Sequence, residues 1–207
     1  MKLYYSPGAC SLAPHIALRE AGIPVELHKV DLKAKQYDDG SDYRQVNGKG
    51  YVPAVDTGSG VLTEAPVVLQ YIADQKPDSG LAPKPGDPAR YKLQEMLNFI
   101  TAELHKGFGN FFNPAMNDGW RQAVTERLGL RLDWLAQHLK GKQFAMGDKF
   151  TVADAYLFTI LNWAGPTKFD LSKWPALTEY YKRVAARPKV REAMMAEGLI
   201  KDEAKAV

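Results

Sequence analysis

The sequence predicts an α+β chain in two parts: a small mixed sheet with flanking helices over residues 1–80, then an all-helical part over residues 89–207. Three observations carry this. Strand-like and helix-like segments alternate up to about Lys76. Residues 77–88 then hold four prolines and the turn signals Asp78-Ser79-Gly80, Pro83-Lys84-Pro85 and Gly86-Asp87, which places a linker at 81–88, where few contacts should cross. After Pro88 the apolar residues recur only at helical spacing.

The first part opens with a Tyr- and Leu-rich strand at 2–5, followed by the loop Ser6-Pro7-Gly8-Ala9. Residues 11–21 are good helix formers, with Leu12 and Ile16 four apart, and Gly22 supplies the stop. Residues 24–30 alternate, Val25 and Leu27 against Glu26 and His28, and read as a strand. The polar stretch 31–50 holds only a short helix near 42–46. Residues 51–55 and 61–63 form two strands of a hairpin around Gly58-Ser59-Gly60. Pro66 suits the first turn of a helix that continues through Val68 and Ile72. The order β-α-β, irregular, β-β-α matches a thioredoxin-like layout.

In the second part Leu93, Leu97, Ile100, Leu104 and Phe108 follow one helical stripe, and Val124, Leu128, Leu132, Leu135 and Leu139 follow another. Two amphipathic helices of about five turns each are the simplest reading. Further helices are expected over 151–163, 176–187 and 189–197, with Pro175 and Pro188 at helix starts.

Composition excludes several classes. Hydrophobic residues make up 45% and charged residues 25%, an ordinary globular balance. The 27 basic and 24 acidic residues are interspersed, so neither nucleic acid nor an anionic membrane is expected as a partner. The amino terminus breaks at Pro7 and does not read as a signal peptide, and no run approaches a membrane span. One cysteine, Cys10, excludes an internal disulfide framework and points to a cytoplasmic setting. The four histidines have no metal-ligand spacing, so no metal is expected.

Four places could carry chemistry. Cys10 lies at a strand-to-helix turn, where unpaired N–H groups and the helix dipole favour an anion and would depress a thiol pKa; the bland alternative is a small buried hydrophobe. Val52-Pro53 could hold a cis bond that turns backbone groups outward to pair with an extended peptide. Glu64-Ala65-Pro66 enters a helix whose N-terminus could hold a carboxylate. Here the bland alternative is an edge-strand proline and a helix-start proline. His105 shares a helix face with Thr101 and Asn98, where it could donate to a thiolate or serve only as a surface histidine. Thr151 and Asp154 form a capping box, a structural device to which no chemistry is assigned.

Together these features resemble the bacterial beta-class glutathione transferases over nearly the whole chain. The resemblance is carried by residues 1–11 with Pro7-Gly8-Ala9-Cys10-Ser11, by Tyr51-Val52-Pro53 and Leu62-Thr63-Glu64, by Glu103-Leu104-His105-Lys106-Gly107-Phe108, and by residues 150–158. It implies that Cys10 lies beside the glutathione sulfur and that His105 approaches it. Val52 would pair its backbone with the cysteinyl part ahead of a cis Pro53. Glu64 and Ala65 would hold the γ-glutamyl end, and Lys35 would lie near the glycyl carboxylate. Tyr51 and Lys106 join the binding set, and Asn98 and Glu103 fall where a neighbouring subunit reaches across a dimer interface. Two positions depart from the family pattern. Ala65 stands where Ser or Gly is common and leaves only a backbone N–H. Gly48 replaces a loop proline and should leave that loop more flexible when unbound.

The resemblance implies an enzyme, a homodimer that conjugates reduced glutathione as co-substrate to hydrophobic electrophiles and uses no other cofactor. The electrophile pocket is expected near Phe108, Phe111, Phe112 and Trp163. Two alternatives stay open: thiol–disulfide exchange or reductive dehalogenation through Cys10, and a non-catalytic ligand-binding protein on the same fold.

Overall fold

The computed structural model describes residues 1–38 and 40–201. Its first half is a six-stranded sheet: β1 (Lys2–Tyr5), β2 (Glu26–Asp31), β3 (Gln36–Tyr37), β4 (Ser41–Asp42), β5 (Ala54–Asp56) and β6 (Val61–Thr63). The strand order is β4-β3-β2-β1-β5-β6. Only β1 and β2 run parallel, joined by helix α1 (Leu12–Glu20), and the other pairs are antiparallel. Helix α2 (Ala65–Gln75) follows β6. The mixed sheet and flanking helices match the expected layout.

The sheet separates two cores. Leu3, Tyr5 and Val55 point into the main core with α1 and α2, while Tyr4, Val30, Tyr43, Val52 and Ala54 form a second, smaller cluster on the opposite face. This alternation follows from the two-residue period of a strand. The second cluster underlies the loop between residues 43 and 53, and so supports one wall of the site described below.

Two local readings change. Residues 31–50 contain the short strands β3 and β4 besides a 3₁₀ turn at Tyr43–Gln45; two-residue strands carry no periodicity to read. The strand expected from Tyr51 begins only at Ala54, after the cis Val52–Pro53 bond, since Pro53 has no N–H to give to a ladder.

The second half comprises α3 (Pro88–Phe99), α4 (Lys106–Gly109), α5 (Asp118–Leu139), α6 (Val152–Leu161), α7 (Ala164–Thr167), α8 (Pro175–Ala185) and α9 (Pro188–Ala196). The stripe Leu93, Leu97, Ile100, Leu104 and Phe108 is buried as expected, but its carrier is not one regular helix. A π-helical stretch, Ile100–His105, joins α3 to α4. Such insertions shift a helix face and are frequent at functional sites.

The linker does not isolate the halves, contrary to the expectation drawn from its prolines. Leu81 is buried, and its carbonyl accepts the N–H of Val152 at 2.9 Å. Arg90 binds Asp74 through both guanidinium NH2 groups at 2.8 and 2.9 Å, and also donates to the Pro83 carbonyl. Helix α1 packs against α6 and α9, and residues of both halves belong to one continuous core.

Every residue of α6 is buried, which makes its start costly to leave unpaired. Asp154 answers this. Its carboxylate accepts the Thr151 N–H at 2.8 Å, the Thr151 hydroxyl at 3.1 Å, the Ala145 N–H at 2.6 Å and the Tyr180 hydroxyl at 2.8 Å. The capping box is present, and Asp154 also ties α6 to α8 and to the 140–151 loop.

Candidate functional site

A cavity of about 450 Å³ opens where the two halves meet. One wall is Cys10, the Tyr51-Val52-Pro53 segment, Thr63-Glu64-Ala65-Pro66, Asn47 and Lys49; the other is Thr101, His105, Lys106 and Tyr156. Of the residues singled out in the sequence, Cys10, Tyr51, Val52, Pro53, Glu64, Ala65, His105 and Lys106 therefore come together.

Cys10 sits in the turn between β1 and α1. Its thiol donates to the Val52 carbonyl at 3.1 Å. Burial pushes the thiol up to about 12, against the lowering pull of the N–H groups of Cys10 and Ser11. The depressed thiol expected from the helix start is thus overturned: the site is too dry for the dipole to win. The turn itself is held from far along the chain. The Gly8 N–H donates to Glu197 at 2.9 Å and the Gly8 carbonyl accepts the indole N–H of Trp163 at 2.8 Å. Glu197 also pairs with buried His15 at 2.9 Å.

The Val52 segment is positioned by its neighbour. The Tyr51 carbonyl accepts the Asn47 side-chain amide at 2.7 Å and the Tyr43 hydroxyl at 2.9 Å. The Gly50 N–H bonds the Asn47 carbonyl at 2.8 Å, closing the turn that contains Gly48. Lys35 lies at the edge rather than in the wall: it donates to the Gly50 carbonyl at 2.8 Å and lies 5.2 Å from the Tyr51 ring centre.

Glu64 precedes α2 with φ 67° and ψ 112°, an uncommon conformation for a side chain other than glycine. That backbone leaves the Ala65 end of α2 facing the cavity. The Glu64 carboxylate is exposed and paired with Lys49.

Across the cavity, His105 comes from the π-helical stretch. Its Nδ1 is 2.6 Å from the Tyr156 hydroxyl, and its ring lies edge-to-face against Trp163 with centroids 4.9 Å apart. Burial, helped by the Lys106 charge, lowers its pKa to about 4, so the imidazole is neutral at ordinary pH.

Other expected residues lie elsewhere. Phe108 and Phe111 pack in the core against Phe169, at centroid distances of 5.3 and 5.6 Å, rather than in the cavity wall. Phe112 is half exposed and edge-on to Trp163, which is itself buried. Asn98 is exposed and is not among the residues that line the cavity. Glu103 pairs with Arg131 at 2.7 Å and Arg127 at 3.4 Å, which hold its carboxyl below the usual range. Asn47, Lys49, Thr63, Thr101 and Tyr156 line the cavity without having been singled out as site residues. The readable signal for the last was a single tyrosine in the mostly apolar run 152–161, whose other polar residues are Asp154 and Thr159. No group of three or more potential metal ligands occurs among the described residues.

Residues 8–75 match the glutathione S-transferase N-terminal domain family and residues 99–188 match the glutathione S-transferase C-terminal domain family. The chain belongs to the glutathione S-transferases. It is 44% identical to glutathione S-transferase GstA of Escherichia coli O157:H7, over 96% of this chain and all of that one. A glutathione S-transferase of Sphingomonas chungbukensis, described as bacterial beta class, superposes with TM-score 0.93 at 46% identity, covering 97% of this chain and all of the other. A sphingomonad glutathione S-transferase solved with glutathione gives TM-score 0.92 at 46% identity, over 97% and 100% of the two chains. The beta-class resemblance seen in the residues therefore extends to the whole glutathione transferase fold.

Proposed function

We propose that the protein conjugates reduced glutathione to hydrophobic electrophiles, and that it does so as a cytoplasmic homodimer without nucleic-acid or membrane partners. The observation that carries the reading is the convergence of the Val52 backbone, the Glu64 carboxylate, the Ala65 end of α2 and neutral His105 on one cavity. Residues 1–80 would hold the tripeptide and residues 89–207 would wall the electrophile, joined through 81–88. Val52 would pair with the cysteinyl backbone, Glu64 with the γ-glutamyl ammonium, Ala65 N–H with its carboxylate, and Lys35 with the glycyl carboxylate. Tyr51, Pro53 and Lys106 would close the same surface. Asn98 and Glu103, outside this cavity, would serve a partner subunit. Trp163 and Phe112 would border the electrophile.

The reaction needs the glutathione sulfur as a thiolate. It attacks the electrophilic carbon, forms the C–S bond and, with an aryl halide, expels halide, while the thiol proton leaves to solvent. Purified protein, glutathione and 1-chloro-2,4-dinitrobenzene test this: saturable conjugation is expected, and none above the uncatalysed rate would defeat the proposal. Light scattering should give about twice the 23.0 kDa chain mass. Thiol exchange through Cys10 is the weaker reading, because its thiol is held protonated and bonded to Val52.

A further inference from the structure

We propose that Tyr156 is a positioning residue that fixes the tautomer of His105, so that Nε2–H of a neutral imidazole faces the cavity. The consequence for the glutathione sulfur rests on the reading above that this cavity takes glutathione; the tautomer itself does not.

The hydroxyl of Tyr156 has two neighbours, His105 Nδ1 at 2.6 Å and Thr101 Oγ1 at 3.4 Å. Thr101 has one proton, and the Leu97 carbonyl lies closer to it, at 2.9 Å. Tyr156 is therefore left with one strong partner, the imidazole nitrogen. Of the two groups that share this bond, the phenol is the stronger acid and the ring nitrogen the stronger base. The bond accordingly runs from Tyr156 O–H to Nδ1. A neutral imidazole has one N–H, and with Nδ1 accepting, it stands on Nε2.

The surroundings support this assignment. Burial holds the Tyr156 phenol above its usual range and the imidazole down to about 4, so the pair remains phenol and neutral imidazole across ordinary pH. The ring is clamped edge-to-face by Trp163 and by Tyr156, at 4.9 and 5.8 Å between centroids, which opposes a ring flip. Among the described residues no hydrogen bond is made by His105 Nε2, and the residue lines the cavity. The charged or titratable groups that act on this pair are Lys106 beside the ring and Glu64 and Cys10 across the cavity. The π-helical stretch brings Thr101 and His105 to the same hydroxyl.

The chemical effect follows from direction. An Nε2–H can donate to a thiolate and stabilise it. The opposite tautomer would turn a lone pair toward the sulfur and favour the protonated thiol.

Long-range ¹H–¹⁵N spectra of protein labelled on histidine nitrogens, with His105 assigned by its loss in His105→Asn, read the tautomer directly. Wild-type protein at neutral pH should show His105 as the Nε2–H form alone, and Tyr156→Phe should populate both forms. In Tyr156→Phe the thiolate absorbance of bound glutathione should titrate roughly one pH unit higher, and kcat/KM below that pKa should fall about tenfold, with less than about a twofold change in glutathione Kd. An Nδ1–H form in the wild-type protein overturns the assignment whether or not the variant folds. An unchanged tautomer and thiolate titration in folded Tyr156→Phe also overturns it. Wild-type protein that binds no glutathione overturns the conjugation reading instead, and the wild-type spectrum still decides the role of Tyr156.

Discussion

The Nζ of Lys49 lies 2.5 Å from the Glu64 carboxylate and 2.7 Å from the Thr63 hydroxyl. The carboxylate proposed to receive the γ-glutamyl ammonium is thus already engaged by an ammonium of the protein. Both side chains are at least half exposed, so the pair adds little to stability.

Glu64→Gln should therefore leave the melting temperature within a few degrees of wild type. It should weaken glutathione binding about 10- to 100-fold, through loss of a charge-assisted hydrogen bond. Calorimetric titration measures the second quantity. Unchanged affinity would place the ammonium elsewhere.

Cys10 separates conjugation from thiol exchange. With its thiol pushed up to about 12, it should react with iodoacetamide more than about a hundredfold slower than free glutathione at pH 8. Cys10→Ala should keep a measurable part of aryl-halide conjugation while losing mixed-disulfide formation. Loss of all conjugation in a variant that still binds glutathione would make the protein thiol the centre of the chemistry.

His105 sets a pH dependence of stability. Its folded pKa, about 4, lies below its ordinary value of 6.5, so the unfolded chain binds more protons between these values. Stability from this group is complete above about pH 6.5 and declines as pH falls toward 4, by a few kcal/mol at most. Urea unfolding at a series of pH values should show a shallower acid decline in His105→Asn. Parallel curves would mean that the imidazole is not held neutral.

Asp154→Ala should cost about 3 kcal/mol or more, since it strips acceptors from the Ala145 N–H and the Tyr180 hydroxyl as well as from the helix start. Thr151→Ala should cost about 1 kcal/mol. Turnover per folded molecule should be preserved in both. A strong loss of turnover with unchanged denaturant midpoint would contradict a purely structural box.

Much of the fold was legible because its elements carry long signals. The stripes of α3 and α5, the strand at Lys2–Tyr5, the stop at Gly22 and the box at Thr151–Asp154 each announce themselves through period or cap chemistry. The site was legible where backbone punctuation marks it, as at Val52-Pro53 and Glu64-Ala65-Pro66. It was not legible where long-range packing decides. Helical spacing could not separate Phe108 and Phe111, which fill the core, from residues facing the cavity. The raised Cys10 thiol depends on how dry the assembled turn becomes, and a local helix-start argument has no access to that. Tyr156 meets His105 across 51 positions of sequence, a partnership no local pattern contains.

Gly8 accepts the Trp163 indole N–H at its carbonyl and donates its own N–H to Glu197. Synthesis runs from the amino terminus, so the turn that carries Cys10 is among the first parts made and among the last to receive its partners. Until residue 197 has left the ribosome, that turn lacks its carboxylate anchor, and α1 lacks the cover of α9. The nascent first half therefore presents an unfinished sulfur site, and shortening the chain from its far end would act at its beginning.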